Sequence, residues 1–285
     1  MSHHDHLAPT REIEPLTFGG TTAGRALNTL LFAAFLICVG SRAITFRLST
    51  QQDALGWLDA LCLVTAAATT IVAQTKRLPT QNVVLSAVLI ALVGGAVQYV
   101  GATRAHVPFG PIQYLPDAGP QIADVLPWLM PLLWVVVILN ARGVARLIVR
   151  PWRKSRTYGL RIILLTCVLA VAFAFGLEPF AIKVNSYWKW ESTQGGLNWH
   201  TAPWINFVSW FLTALLIMAF STPFLMKKRP ARTPSDFHPL GTWAVMNGLF
   251  VAGAFLHHPR LWDVVGLTAI TTAVAAVLAL RGAHW

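Results

Sequence analysis

The stretch LRIILLTCVLAVAFAFGL, residues 160–177, decides the fold. It carries one charge, Arg161, in its first turn and is closed by Glu178 and Pro179. A run of this length with almost no charge reads as a membrane-crossing helix, because spanning the hydrocarbon core takes about 20 residues at 1.5 Å each. Working outward, similar runs occupy residues 26–44, 54–73, 83–101, 122–139 and 205–225, and two shorter ones lie at 240–256 and 264–280. The last two are each long enough for an untilted span, although a re-entrant pair is the other way to fold them. The expected fold is therefore all-α: a polytopic integral membrane bundle of about eight transmembrane helices. Residues 1–25 form a polar tail and residues 26–285 a single transmembrane domain. The apolar run after the tail starts too far in for a cleavable signal peptide.

Composition agrees. Hydrophobic residues make up 55% and charged residues 12% of the chain, and the mean hydropathy is +0.57. A soluble domain carries about 25% charged residues, so half of the expected solvating surface is missing. A net charge of +11 would otherwise suggest nucleic acid, but in a membrane protein basic residues mark the cytoplasmic loops. With eight spans, one side of the membrane collects 16 of the 22 lysines and arginines. That side holds both termini, which are expected in the cytoplasm, at the inner membrane. The basic segment 141–156 is expected to be a loop on that side, serving topology and anionic-lipid contact, with binding of a phosphorylated substrate as the alternative.

Two loops on the lightly charged side are not ordinary connectors. The first runs from His106 through Val107-Pro108-Phe109-Gly110-Pro111-Ile112-Gln113-Tyr114 to Asp117, Gly119 and Pro120, and its four prolines and two glycines exclude a long helix. The second runs from Leu177-Glu178-Pro179 through Tyr187-Trp188-Lys189-Trp190 to Trp199, Trp204, Asn206 and Trp210. It holds five of the twelve tryptophans. Tryptophan and tyrosine favour the membrane interface in general. Their concentration here with prolines, amides and acids suits a vestibule for a flat apolar ligand such as a conjugated or isoprenoid chain. Glu178 is the acid of interest. Pro179 is expected to end its helix, and the carboxyl group then meets the negative end of the helix dipole and a low-dielectric boundary. Both favour the neutral acid, the form a proton donor needs. Pairing with Lys183 or a capping role is the bland alternative, and Glu191 and Asp117 are second-choice acids.

Other chemistries find no support. The histidines show no HxxxH or HxxHH clusters for a di-iron site, and adjacent His257 and His258 suit an interfacial turn better than a metal. The His3-His4-Asp5-His6 tract lies on the polar tail. No acidic run suits magnesium diphosphate, and no phosphate-cradling glycine loop or dinucleotide fingerprint occurs. Cys38, Cys62 and Cys167 lie unpaired inside apolar runs. Polar residues within spans are few, among them Gln98, Asn206, Asn247 and Arg42, which argues against a transporter with a charged midplane path.

The ordered motifs VPFGPIQY with Asp117 and Gly119-Pro120, then LEPFA, YWKW and APWINFVSW, resemble the carotenoid biosynthesis membrane protein family. The resemblance covers roughly residues 107–230, including Pro127, Pro131 and Trp134 in the fourth span. The family includes acyclic carotenoid 1,2-hydratases acting on γ-carotene, lycopene-like and bacterioruberin-precursor ends. Glu178 stands where the family's acid before the proline is usually Asp. The resemblance implies a cofactor-independent hydratase whose substrate is a carotenoid or other isoprenoid lipid. Its partners would be membrane lipids and other carotenoid-pathway enzymes, with no nucleic acid. On that reading Glu178 is the acid, Tyr114 and Asn206 orient water, and Asp117 is a further catalytic acid. Phe109, Tyr187, Trp188, Trp190, Trp204 and Trp210 line the chain and cation site, and no metal is bound. A non-enzymatic carotenoid- or lipid-binding subunit is the chief alternative, and a small-molecule transporter the third.

Overall fold

The computed structural model describes residues 17–48, 56–103, 109–191, 197–226, 235–257 and 260–285. The protein is an all-α membrane bundle. Among the described residues, eight helices are long and apolar enough to cross a membrane. They are α1 (Thr22–Leu48), α2 (Gly56–Gln74), α3 (Thr80–Thr103), α4 (Met130–Val149), α5 (Tyr158–Pro179), α6 (Trp204–Leu225), α7 (His238–His257) and α8 (Trp262–Ala283). The two short C-terminal runs are thus full-length helices and not a re-entrant pair. The tract at residues 3–6, residues 104–108, His258 and the cations at 227–232 lie outside the described residues.

The helices run up and down. Gly19, just before α1, donates to Thr75 Oγ1 at 2.9 Å just after α2, and Ser235, before α7, donates to the carbonyl of Ala283 in α8 at 3.0 Å. One end of the bundle therefore gathers the start of α1 and the end of α8 together with Arg77, Arg146 and Arg150. The loops after α3 and α5 sit at the other, aromatic end.

Helix α4 is the axis. Every side chain from Leu133 to Arg142 is buried, as expected of a helix apolar around its whole circumference. The outer helices turn apolar side chains outward instead, such as Leu30 and Ile37 on α1, Leu92 on α3 and Ile270 on α8. Water would penalise such a surface; lipid tails do not.

The fourth span departs from its expected place. Residues 121–129 form a small hairpin, β2 (Gln121–Ile122) paired with β3 (Leu126–Pro127), turned by Ala123 and Asp124 in the left-handed region. The helix starts only at Met130, with Pro131 in the first turn, where its missing N–H costs no hydrogen bond. It then continues to Val149, so Arg142 and Arg146 are helical rather than part of a loop, and Arg142 is buried.

Close helix approach rests on small residues. A Cβ on Gly94 of α3 would stand 2.4 Å from Cγ of Trp134 on α4. Gly94→Ala is accordingly expected to cost about 1–3 kcal/mol by overpacking, read as a lower midpoint of thermal unfolding in detergent. An unchanged midpoint would mean that the α3–α4 interface yields freely.

Candidate functional site

The two aromatic loops are one structure. Strand β1 (Ile112–Tyr114) from the α3–α4 loop pairs antiparallel with β4 (Trp188–Trp190) from the α5–α6 loop, setting Ile112 opposite Trp190 and Tyr114 opposite Trp188. Side chains alternate across a strand. Trp188 and Trp190 therefore turn inward together while Lys189 points out, and Ile112 and Tyr114 turn inward from β1.

Under this ribbon α5 does not simply stop at Pro179. The chain widens into a π-helical turn, Phe180–Val184, closed by Asn185 N–H to the Phe180 carbonyl at 3.1 Å. Proline has no N–H for the ordinary ladder, and a longer-reaching turn carries the backbone past it. This corrects the expectation that the helix ends there. It also places Glu178 inside the bundle rather than at its rim.

Glu178 is 2% exposed. One carboxyl oxygen, Oε2, accepts from the indole N–H groups of Trp188 at 3.0 Å and Trp190 at 3.2 Å. The other, Oε1, accepts from the Asn206 side-chain amide at 2.7 Å. Trp210, one turn beyond Asn206 on α6, lies beside the same carboxyl group. Trp210 in turn packs on Trp134 at 4.4 Å between ring centroids. Lys183 is exposed, and it is these neutral donors that face the acid.

The donor chemistry is asymmetric. An indole N–H can only donate, so Oε2 must accept from both tryptophans in either protonation state. The Asn206 amide is different: rotated by half a turn, it presents its oxygen to a carboxylic O–H. Asn206 thus matches both the acid and its conjugate base, as a site that gives up a proton and regains it requires.

The remaining expected residues divide. Tyr114 lies beside this group, edge-on to Trp188 at 6.0 Å. Its hydroxyl donates to Gln98 Oε1 at 2.9 Å, and burial, then the nearby Glu178, push its phenol above the ordinary range, so it stays a neutral O–H. Phe109 is buried in the same core. Trp204 is not in the group; it is 44% exposed and packs on Phe175 and Phe207.

Tyr187 and Asp117 belong to a second polar cluster that the sequence reading passed over. Asp59 of α2 pairs with Arg42 of α1 at 2.8 Å and accepts from Asn185 at 3.1 Å and from the Tyr187 hydroxyl. Arg42 also donates to Asn185 at 2.6 Å. These residues and Asp117 line a cavity of about 50 Å³, room for at least one water with several polar partners. Burial, then the Asp59 carboxylate, push the Tyr187 phenol up. The signal was present in the sequence: an arginine near the end of one span and an aspartate near the start of the next lie at the same depth when the two helices are antiparallel.

The sequence profile of the family described as "Carotenoid biosynthesis protein" matches residues 57–276, from α2 into α8. The chain belongs to that family. The match takes in every partner of Glu178 as well as Asp59, and within the second cluster leaves out Arg42. The chain is also similar to a curated protein, bisanhydrobacterioruberin hydratase from Haloarcula japonica, 27% identical over 139 residues. That alignment covers 48% of this chain and 44% of the relative, so it spans less than half the length of either protein. No solved structure matches the chain.

Proposed function

We propose that this carotenoid biosynthesis protein hydrates the terminal C1–C2 double bond of an acyclic carotenoid end, with Glu178 as proton donor. The observation that carries the proposal is the buried Glu178 carboxyl group, ringed by Trp188, Trp190 and Trp210 and held by an amide that can serve both of its protonation states. The hydratase similarity supports the same reading. In the reaction the acid form of Glu178 gives its proton to C2, and the alkene's electron pair forms the new C–H bond. C1 is left as a tertiary cation, which the faces of the surrounding indoles stabilise. A water lone pair closes on C1, and its surplus proton returns to the Glu178 carboxylate. The sum is one added water, with no change in oxidation state overall. For an alkene end to reach the acid, a covering group must move. The β1–β4 ribbon carries the two indoles that cover the carboxyl group, so it is the cover that has to shift.

The test is expression in cells that accumulate lycopene or γ-carotene, followed by mass analysis of the pigments. The expected product is heavier than its precursor by one water. Failure to hydrate any acyclic-ended carotenoid would leave a binding subunit, in which Glu178 only orders the aromatic ribbon. Asn206→Leu removes the reversible partner and is expected to lower the hydrated-to-unhydrated pigment ratio about 10–100-fold at equal protein level, the worth of one hydrogen bond to a charged group. Both chain ends are proposed to face the cytoplasm, because the basic end of the bundle holds the start of α1 and the end of α8. A reporter fused after Trp285 that is active only outside the cytoplasm would stay silent on this topology, and a signal from it would reverse the orientation.

A further inference from the structure

At the end of the bundle away from Glu178, a cavity of about 570 Å³ opens between α2, α4, α5 and α6. That is within the range of small-ligand sites. Its walls carry Arg77, Arg142, Arg146, Arg150, Arg153 and Lys154, and one carboxylate, Asp236. Arg142 and Arg146 on α4 and Arg150 at its C-cap stand four residues apart, so they stack on one face, where like charges repel. The negative end of the helix dipole offsets this only in the last turn. Arg142 lies two turns in from the end of α4 at Val149.

Arg142 is the informative residue. It is 6% exposed; its Nη2 donates to the Leu225 carbonyl at 2.6 Å, and its Nε has no hydrogen-bond partner among the described residues. Asp236 lies with Arg77 at 3.8 Å, and Arg150 donates to Ser235. A buried guanidinium facing a neutral carbonyl lacks the counter-charge that such burial requires. The planar guanidinium fork matches phosphate oxygens two at a time. Beside the cations the wall is apolar, with Leu147, Ile162 and Met218, which suits a chain attached to the anion.

We infer that this cavity binds a phosphate-bearing anion, seated on Arg142 and flanked by Arg146 and Arg150. The inference rests on residues remote from Glu178 and stands apart from the hydration reading. A phospholipid headgroup and a free phosphate or diphosphate compound offer the same chemistry, and the experiment separates them. Thermal unfolding of the full-length protein is followed in detergent at matched ionic strength. One arm titrates inorganic pyrophosphate; the other compares phosphatidylglycerol with phosphatidylcholine in mixed micelles.

The expected result is a saturable rise in Tm. A response to pyrophosphate marks a diffusible ligand, and a response to phosphatidylglycerol alone marks a headgroup. The double variant Arg146→Gln/Arg150→Gln, at half-buried positions, is expected to weaken the apparent Kd about tenfold or more; Arg142→Gln should remove saturation. No saturable rise with either ligand, or an unchanged Kd in the double variant, would overturn the assignment.

Discussion

Glu178→Gln is expected to leave the carotenoid unhydrated, with a fall of at least about a hundredfold in product, since a positioned general acid contributes about 10²–10⁴. Glutamine has the shape of glutamate but no acidic proton. Its oxygen can still accept from Trp188 and Trp190, and its NH₂ can face Asn206 once that amide has turned its oxygen inward. The variant should therefore fold and accumulate like the parent. Glu178→Leu would instead strand buried N–H donors, at about 1–3 kcal/mol each, and should accumulate poorly. Pigment mass analysis at equal protein level separates the two outcomes. Normal hydration by Glu178→Gln would remove Glu178 from the chemistry and return it to a packing role.

The second large effect concerns stability. Arg42→Met leaves Asp59 with its charge inside the bundle and takes away a partner of Asn185. Breaking a buried pair from one side costs about 3–5 kcal/mol, so the single variant should unfold at markedly lower temperature in detergent. The double variant Arg42→Met/Asp59→Asn removes both charges while leaving Asn185 and Tyr187 an acceptor at position 59, and should recover part of the loss. Parent-like stability of Arg42→Met would mean that water reaches Asp59 through the small cavity beside it. Because Tyr187 also bonds Asp59 and leads directly into β4, the single variant should depress hydration too, through a slackened ribbon.

The spans were legible because the hydrocarbon core imposes one length and one polarity on all of them. The error at the fourth span has a physical origin. Residues 122–129 are apolar enough to sit in a helix, but Pro127 and the left-handed turn at Ala123 and Asp124 make them a hairpin. Apolarity reports burial and leaves backbone shape open. Within the site, Asn206 and Trp210 are four apart on α6 and share its inner face. Trp204 is two residues before Asn206, on the other side of the helix, and its exposure follows from the same spacing. Tyr187 lies outside the inward alternation of Trp188 and Trp190, and it joins Asp59 instead. That the two loops pair with each other was not legible, since strand register between distant segments depends on where the helices beneath them place their ends.

The β1–β4 pairing also has a consequence in time. One strand follows α3 and the other follows α5, while the amide that completes the Glu178 group sits on α6. As the chain is made, β1 must wait, unpaired, until two further helices have entered the membrane. The acid on α5 is likewise made before Asn206 and Trp210. The pocket is therefore assembled late, by helix association rather than by insertion. Chains truncated before α6 should be stably inserted yet unable to shield their own carboxyl group.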